Sequence, residues 1–158
     1  MKTAMLSFLN ETGAQESKRK LVDLGFEIIT SEAVSSNIPI DLMYIELCPL
    51  QKIIPLQKII ASCGDKKTSL ELLDITGLIV LMSGAKNRSI VVCDPNDLES
   101  VLDWLKMGQP KKEEVLDYLA AKTLATIAEH MLNTAEFLGD TKNISGYIEN
   151  QLVFPEIE

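Results

Sequence analysis

Short apolar runs separated by polar turns recur along the first two thirds of the chain, and a long stretch with helical spacing follows. The first run, Ala4-Met5-Leu6-Ser7-Phe8-Leu9, reads as a buried strand. Asn10-Glu11-Thr12-Gly13 is a turn, residues 15–24 carry helix formers, and Gly25 is a good C-terminal stop. Residues 26–30, 40–47 and 89–93 supply a second, third and fourth strand. A strand, a helix of about ten residues and a strand, in that order, favour parallel pairing through a right-handed crossover. The run Gly77-Leu78-Ile79-Val80-Leu81-Met82 has the period of a buried strand, yet a short apolar run fits a buried helix as well. Residues 98–107 are amphipathic, with Leu98, Val101, Leu102 and Leu105 on one face. Asp94 is placed to cap that helix and Pro95 to occupy its first position. After Gly108-Gln109-Pro110, residues 111–138 form a helical tract for which a break near Thr123–Ala128 is expected. The pattern predicts an α/β domain over residues 1–140 and a weakly periodic tail over 141–158, docked loosely or capping an edge.

Pro49-Leu50-Gln51-Lys52-Ile53-Ile54 is repeated without change by Pro55-Leu56-Gln57-Lys58-Ile59-Ile60. Two copies are too few for a solenoid. They read as a local duplication in a surface connection, and Pro55 interrupts any helix there.

Composition narrows the picture. At 158 residues, 46% hydrophobic and 24% charged, the chain fits one soluble domain with a proper core. A net charge of −8 argues against nucleic acid as a partner, which needs a basic face. The start, MKTAMLSFLNETG, has too short an apolar run for a signal peptide, and no run approaches a transmembrane length, so a cytoplasmic protein without membrane contact is expected. Cys48, Cys63 and Cys93 are widely spaced and read as reduced thiols rather than metal ligands. On that reading the sequon at Asn143-Ile144-Ser145 carries no meaning.

Residues 70–98 hold the most specific signal: Asp74 and Lys86 lie around a Thr76-Gly77 turn, and Cys93-Asp94-Pro95 forms an acidic strand exit. This stretch resembles the core of the IMP cyclohydrolase domain of the bifunctional purine biosynthesis enzyme. That family writes an Asp-Ile-Gly-Gly start, an apolar helix ending Ala-Ala-Lys-Asn, a Val-rich strand and Asp-Pro. Further matches follow in order: Leu6–Gly13 to the family's Ser-x-Ser-Asp-Lys-Thr-Gly opening, and Leu21–Ile29 to its second element. Glu46-Leu47-Cys48-Pro49 falls at its Asn-Leu-Tyr-Pro, and Glu114–Ala128 at its Leu-Ala-x-Lys-x-Phe helix. The resemblance implies a methylglyoxal-synthase-like three-layer α/β sandwich, a homodimer and no cofactor. It also makes residues 76–87 a helix entered at Asp74. The chain stops about where the family's formyltransferase domain would begin, so transformylase activity is not expected.

Ring closure requires a carboxamide nitrogen to attack a formyl carbon, with loss of water; it needs proximity, oxyanion stabilisation and proton transfer. The resemblance implies that Lys86 donates to the formyl oxygen or shuttles a proton and that Asp74 orients the carboxamide. Thr76-Gly77 would present helix N-terminal N–H groups to the substrate. Ser7 and Ser31 stand at strand ends, where doubly wound folds place ligands, and with Asn10 and Glu46 they complete the candidate substrate-binding set. In a purely structural account Asp74 caps its helix, Lys86 snorkels at the C-terminal end, and Ser7 and Ser31 satisfy local backbone.

Several positions depart from the family. Its phosphate-cradling Ser-Gly-Gly-Thr loop becomes Ser31-Glu32-Ala33-Val34, where a carboxylate repels phosphate. Its cationic Arg-x-Lys-Thr-Leu-His-Pro segment has no counterpart, since only Ser35–Met43 bridges that region. Its first-turn Lys becomes Glu11, its Asn becomes Glu46, and its Tyr becomes Cys48. A cyclohydrolase-like protein with weak or lost activity is therefore expected. The alternative is a non-catalytic small-molecule sensing or dimeric partner-binding module whose acidic pocket prefers an uncharged or cationic ligand. His130, the lone histidine, and Trp104 are read as packing residues, His130 in the interior or at the surface.

Overall fold

The computed structural model describes residues 2–8, 14–29, 39–47 and 75–139, with side chains in the last stretch as far as Glu136. Asp74, Asn10, Ser31, Glu11, Glu32, Cys48, Cys63, the hexapeptide repeat and the tail lie outside the described residues.

Strand β1 (Lys2–Ser7) leads to helix α1 (Ala14–Asp23) and strand β2 (Phe26–Ile29). Gly25 adopts φ of 84°, the left-handed geometry that lets the chain leave α1 and enter β2 within two residues. Strand β3 (Leu42–Ile45), helix α2 (Ile75–Lys86) and strand β4 (Ile90–Val92) follow. Helix α3 (Pro95–Lys106) and helix α4 (Lys112–Gly139) close the described chain. The four strands form one all-parallel sheet in the order β2-β1-β3-β4. β1 pairs Lys2 with Phe26 and Ser7 with Ile45, so it starts earlier than its apolar run does.

Helices cover both faces, giving three layers. Lys20 of α1 holds Glu99 of α3 at 2.8 Å on one side. On the other side α2 and α4 pack together over β3 and β4. Both faces being covered explains why β3 and β4 are buried at every position. Leu42, Tyr44, Val91, Val92, Leu78, Leu81 and Leu102 are all but inaccessible to solvent, each contributing about 1.5–3 kcal/mol of apolar burial.

Residues 77–82 belong to a helix, as the resemblance implied and the period alone did not. Asp94 caps α3, its carboxylate accepting from the Asn96 N–H at 3.0 Å, with Pro95 behind it. The expected break near Thr123–Ala128 is absent, and α4 is one helix through that point. Its threonines are accommodated within the helix. Thr123 is buried with Oγ1 3.8 Å from Cys93 Sγ, and Thr126 Oγ1 donates back to the Lys122 carbonyl at 2.9 Å. His130 is buried on α4, and Trp104 is buried with its Nε1 donating to the Pro110 carbonyl at 2.8 Å.

Candidate functional site

In a sheet ordered β2-β1-β3-β4, successive connections leave β1 in opposite directions, so the switch point lies between β1 and β3. Doubly wound sheets open a ligand crevice there, outside the carboxyl ends of the strands. Ser7 ends β1, and Glu46 follows β3. The Glu46 N–H donates to the Ser7 carbonyl at 2.9 Å, which fixes these two residues side by side at that point. Ser7 is exposed and Glu46 half-buried. The first turn of α2 opens at the same edge, since α2 must run back to reach the start of β4; Thr76 there is exposed and Gly77 buried.

Lys86 is placed differently. It is the last residue of α2, exposed, and the backbone beyond it turns directly into β4 through the bond from Ser89 N–H to the Gly84 carbonyl. At 1.5 Å per residue it stands about 15 Å along the helix axis from Thr76. The structure thus pairs Ser7 with Glu46 at the carboxyl edge, where Thr76 and Gly77 also lie at the start of α2, and sets Lys86 at the amino edge.

Other groups gather at the carboxyl edge that sequence reasoning assigned no role in a site. Tyr44 is buried against Phe8, with ring centroids 4.8 Å apart. Burial, then the negative charges of Glu46 and Asp94 and a hydrogen bond with Glu46, push its phenol up to about 12. It is therefore a neutral hydroxyl at ordinary pH. Lys122 reaches from α4 to Asp97 at 2.6 Å and to Asp94 at 2.9 Å. Those bonds, Asp97 first, hold its ammonium well above the usual lysine range. The Lys122 bond is in turn the main reason that Asp94 stays ionised below the ordinary carboxylate range. The signal for Lys122 was present in the sequence: a cation within Leu119-Ala120-Ala121-Lys122-Thr123-Leu124 sits among apolar and small residues and needs a carboxylate partner. Nothing local said which one.

Among the described residues the edge is acidic, with Glu46, Asp94 and Asp97 against one lysine already engaged by two of them. It can accept hydrogen bonds from a ligand, and the Ser7 hydroxyl lies exposed there. Among the described residues no group of three His, Cys, Asp or Glu side chains could hold a metal ion, and no helix is long and apolar enough to cross a membrane.

No family model matches the chain. Its sequence is 33% identical over 102 residues to the bifunctional purine biosynthesis protein PurH of Lactococcus lactis subsp. lactis strain IL1403. It is 32% identical over the same length to PurH of Lactococcus lactis subsp. cremoris strains MG1363 and SK11. The match takes in 63% of this chain but only 18% of each relative. Over that stretch the chain is a distant homologue of a small part of PurH.

Proposed function

We propose that the chain is a divergent relative of the IMP cyclohydrolase domain, linked to purine biosynthesis, that binds a purine nucleotide at the carboxyl edge. Its ring-closing activity is weak or lost. The supporting observation is the PurH similarity over 102 residues, and the pairing of Ser7 with Glu46 beside the first turn of α2 agrees with it. In this reading the sheet is methylglyoxal-synthase-like, the protein is a homodimer, and Asp74 precedes α2 to orient the carboxamide. The N–H groups of Thr76 and Gly77 face the developing oxyanion. The weakness follows from charge: a phosphate brought to Glu46, Asp94 and Asp97 meets repulsion that Lys122, held by two carboxylates, does little to offset. A role for Lys86 in the same site rests on the resemblance, and the length of α2 weighs against it. The same acidic edge favours the second reading, a sensing module for an uncharged or cationic ligand.

Calorimetric titration of IMP into the wild type, Ser7→Phe and Lys86→Ala separates these accounts. Micromolar binding to the wild type that Ser7→Phe abolishes is the expected result. A tenfold loss in Lys86→Ala, about 1.4 kcal/mol, would return Lys86 to the site, and unchanged affinity would remove it. A flat wild-type titration would overturn the nucleotide reading.

A further inference from the structure

The amino edge of the sheet holds a cavity of about 640 Å³, between the start of β3, the end of α2 and the start of α4. That volume is in the range of small-molecule sites, which run from about 300 to 1,000 Å³. It lies at the other end of the strands from Ser7 and Glu46, so it is separate from the crevice described above.

Its chemistry is directional. Phe26, Met43 and Leu116 supply apolar wall. Lys2 lies over the Phe26 ring at 5.5 Å from the centroid. Lys112 lines the cavity and makes no ion pair among the described residues. Arg88 also lines it, but its guanidinium is engaged by Asp117 at 2.7 Å and Glu113 at 2.8 Å. Asp41 is the one acidic side chain on the wall among the described residues, and its Oδ2 already accepts the Thr3 N–H at 2.8 Å. Two lysines thus face a space with one partly satisfied carboxylate, in a chain whose net charge is −8. Arg88, Gln109 and Lys111 are the non-glycine residues with positive φ among those described, at 56°, 61° and 51°. Two of them line the cavity and the third adjoins Lys112. Arg88 takes this geometry as the left-handed cap of α2, its N–H donating to the Ala85 carbonyl and the Ser89 N–H to the Gly84 carbonyl, and Gln109 follows the equivalent cap of α3.

We propose that this amino-edge cavity is a second small-molecule site, one that takes a small organic anion with an apolar body. The anionic group lies between Lys2 and Lys112, and the body rests on Phe26 and Met43. The proposal does not depend on nucleotide binding at the carboxyl edge.

Trp104 gives the readout. It is the single tryptophan, and its indole is bonded to Pro110, the neighbour of the cavity-lining Gln109. Benzoate and inorganic phosphate are titrated against tryptophan fluorescence and by calorimetry in the wild type, Lys112→Ala and Ser83→Phe. Both substituted positions are exposed, so folding should tolerate the changes, and circular dichroism checks that it does. Saturable benzoate binding is expected, weakened about tenfold by Lys112→Ala and lost when Ser83→Phe fills the space, with phosphate binding more weakly. The proposal is overturned if benzoate gives no saturable signal by either method. It is equally overturned if both variants bind as the wild type does, or if phosphate binds as tightly as benzoate and the apolar wall contributes nothing.

Discussion

Gly84 shows how closely α2 approaches the sheet. A Cβ built there would lie 2.5 Å from Met43 Sδ and 2.6 Å from Val91 Cγ1. The methionine can swing aside, but Val91 is a fully buried, β-branched strand residue with little freedom to move. In an open helix alanine would gain up to about 1 kcal/mol over glycine. Overpacking costs about 1–3 kcal/mol, so Gly84→Ala should destabilise the protein by about 1–2 kcal/mol. Urea denaturation checks this through a lower midpoint at unchanged slope; a raised midpoint would refute the close approach. Of the individual residues, those with purely local roles were legible in sequence: Gly25 as a stop, Asp94 as a cap, Pro95 behind it. Gly84 was not, because its role depends on a β4 residue that arrives only when the helix docks.

At the scale of elements, α4 tests the one element whose continuity sequence reasoning misjudged. Proline inside a continuous helix removes a hydrogen bond and clashes with the preceding turn, at about 3 kcal/mol or more. Thr126→Pro should therefore cost that much in urea denaturation followed by far-ultraviolet circular dichroism. A helix broken between Thr123 and Ala128 would absorb the change with little loss. Thr123 and Thr126 carry β-branched, hydroxyl side chains, which are indifferent helix formers. Packing reversed that weak preference, since Thr123 is buried beside Cys93. Helix α2 was ambiguous for another reason. Leu78 and Leu81 face the core, but Ile75, Ile79 and Met82 are apolar while remaining about half exposed, which erases the contrast that a helical period needs.

For the molecule as a whole, the interior sets a pH response. His130 is buried, and burial pushes its pKa below 6.5, against a smaller opposing effect of Glu129. The unfolded chain then binds the proton more readily than the folded one. This contribution to stability is complete above pH 6.5 and is lost as pH falls through the depressed folded value, at no more than about 1.4 kcal/mol per pH unit. The wild type should lose stability below pH 6.5 in a window that His130→Leu does not share. Asp94 acts with the same sign but further down, below its ordinary value of 3.8, so the two contributions separate in a pH series of melting temperatures. Parallel slopes for wild type and variant between pH 6.5 and 5 would remove His130 from this role.

Hydrophobic period, turn residues and caps determined the α/β class, the four strands and most helix positions, because each is a local choice written within a few neighbouring residues. The resemblance carried by residues 70–98 added the identity of α2 and a set of candidate residues. Which of those residues share a site was decided by tertiary structure. A helix of 12 residues puts its two ends at opposite edges of the sheet, so Thr76 and Lys86, close in sequence, are parted. Ser7 and Glu46, far apart in sequence, are joined by one backbone hydrogen bond between neighbouring strands. The Lys122 bridge to Asp94 and Asp97 and the cavity at the amino edge arose in the same way. Each depends on strand order and helix docking, and those are fixed by how covered faces pack rather than by any local pattern.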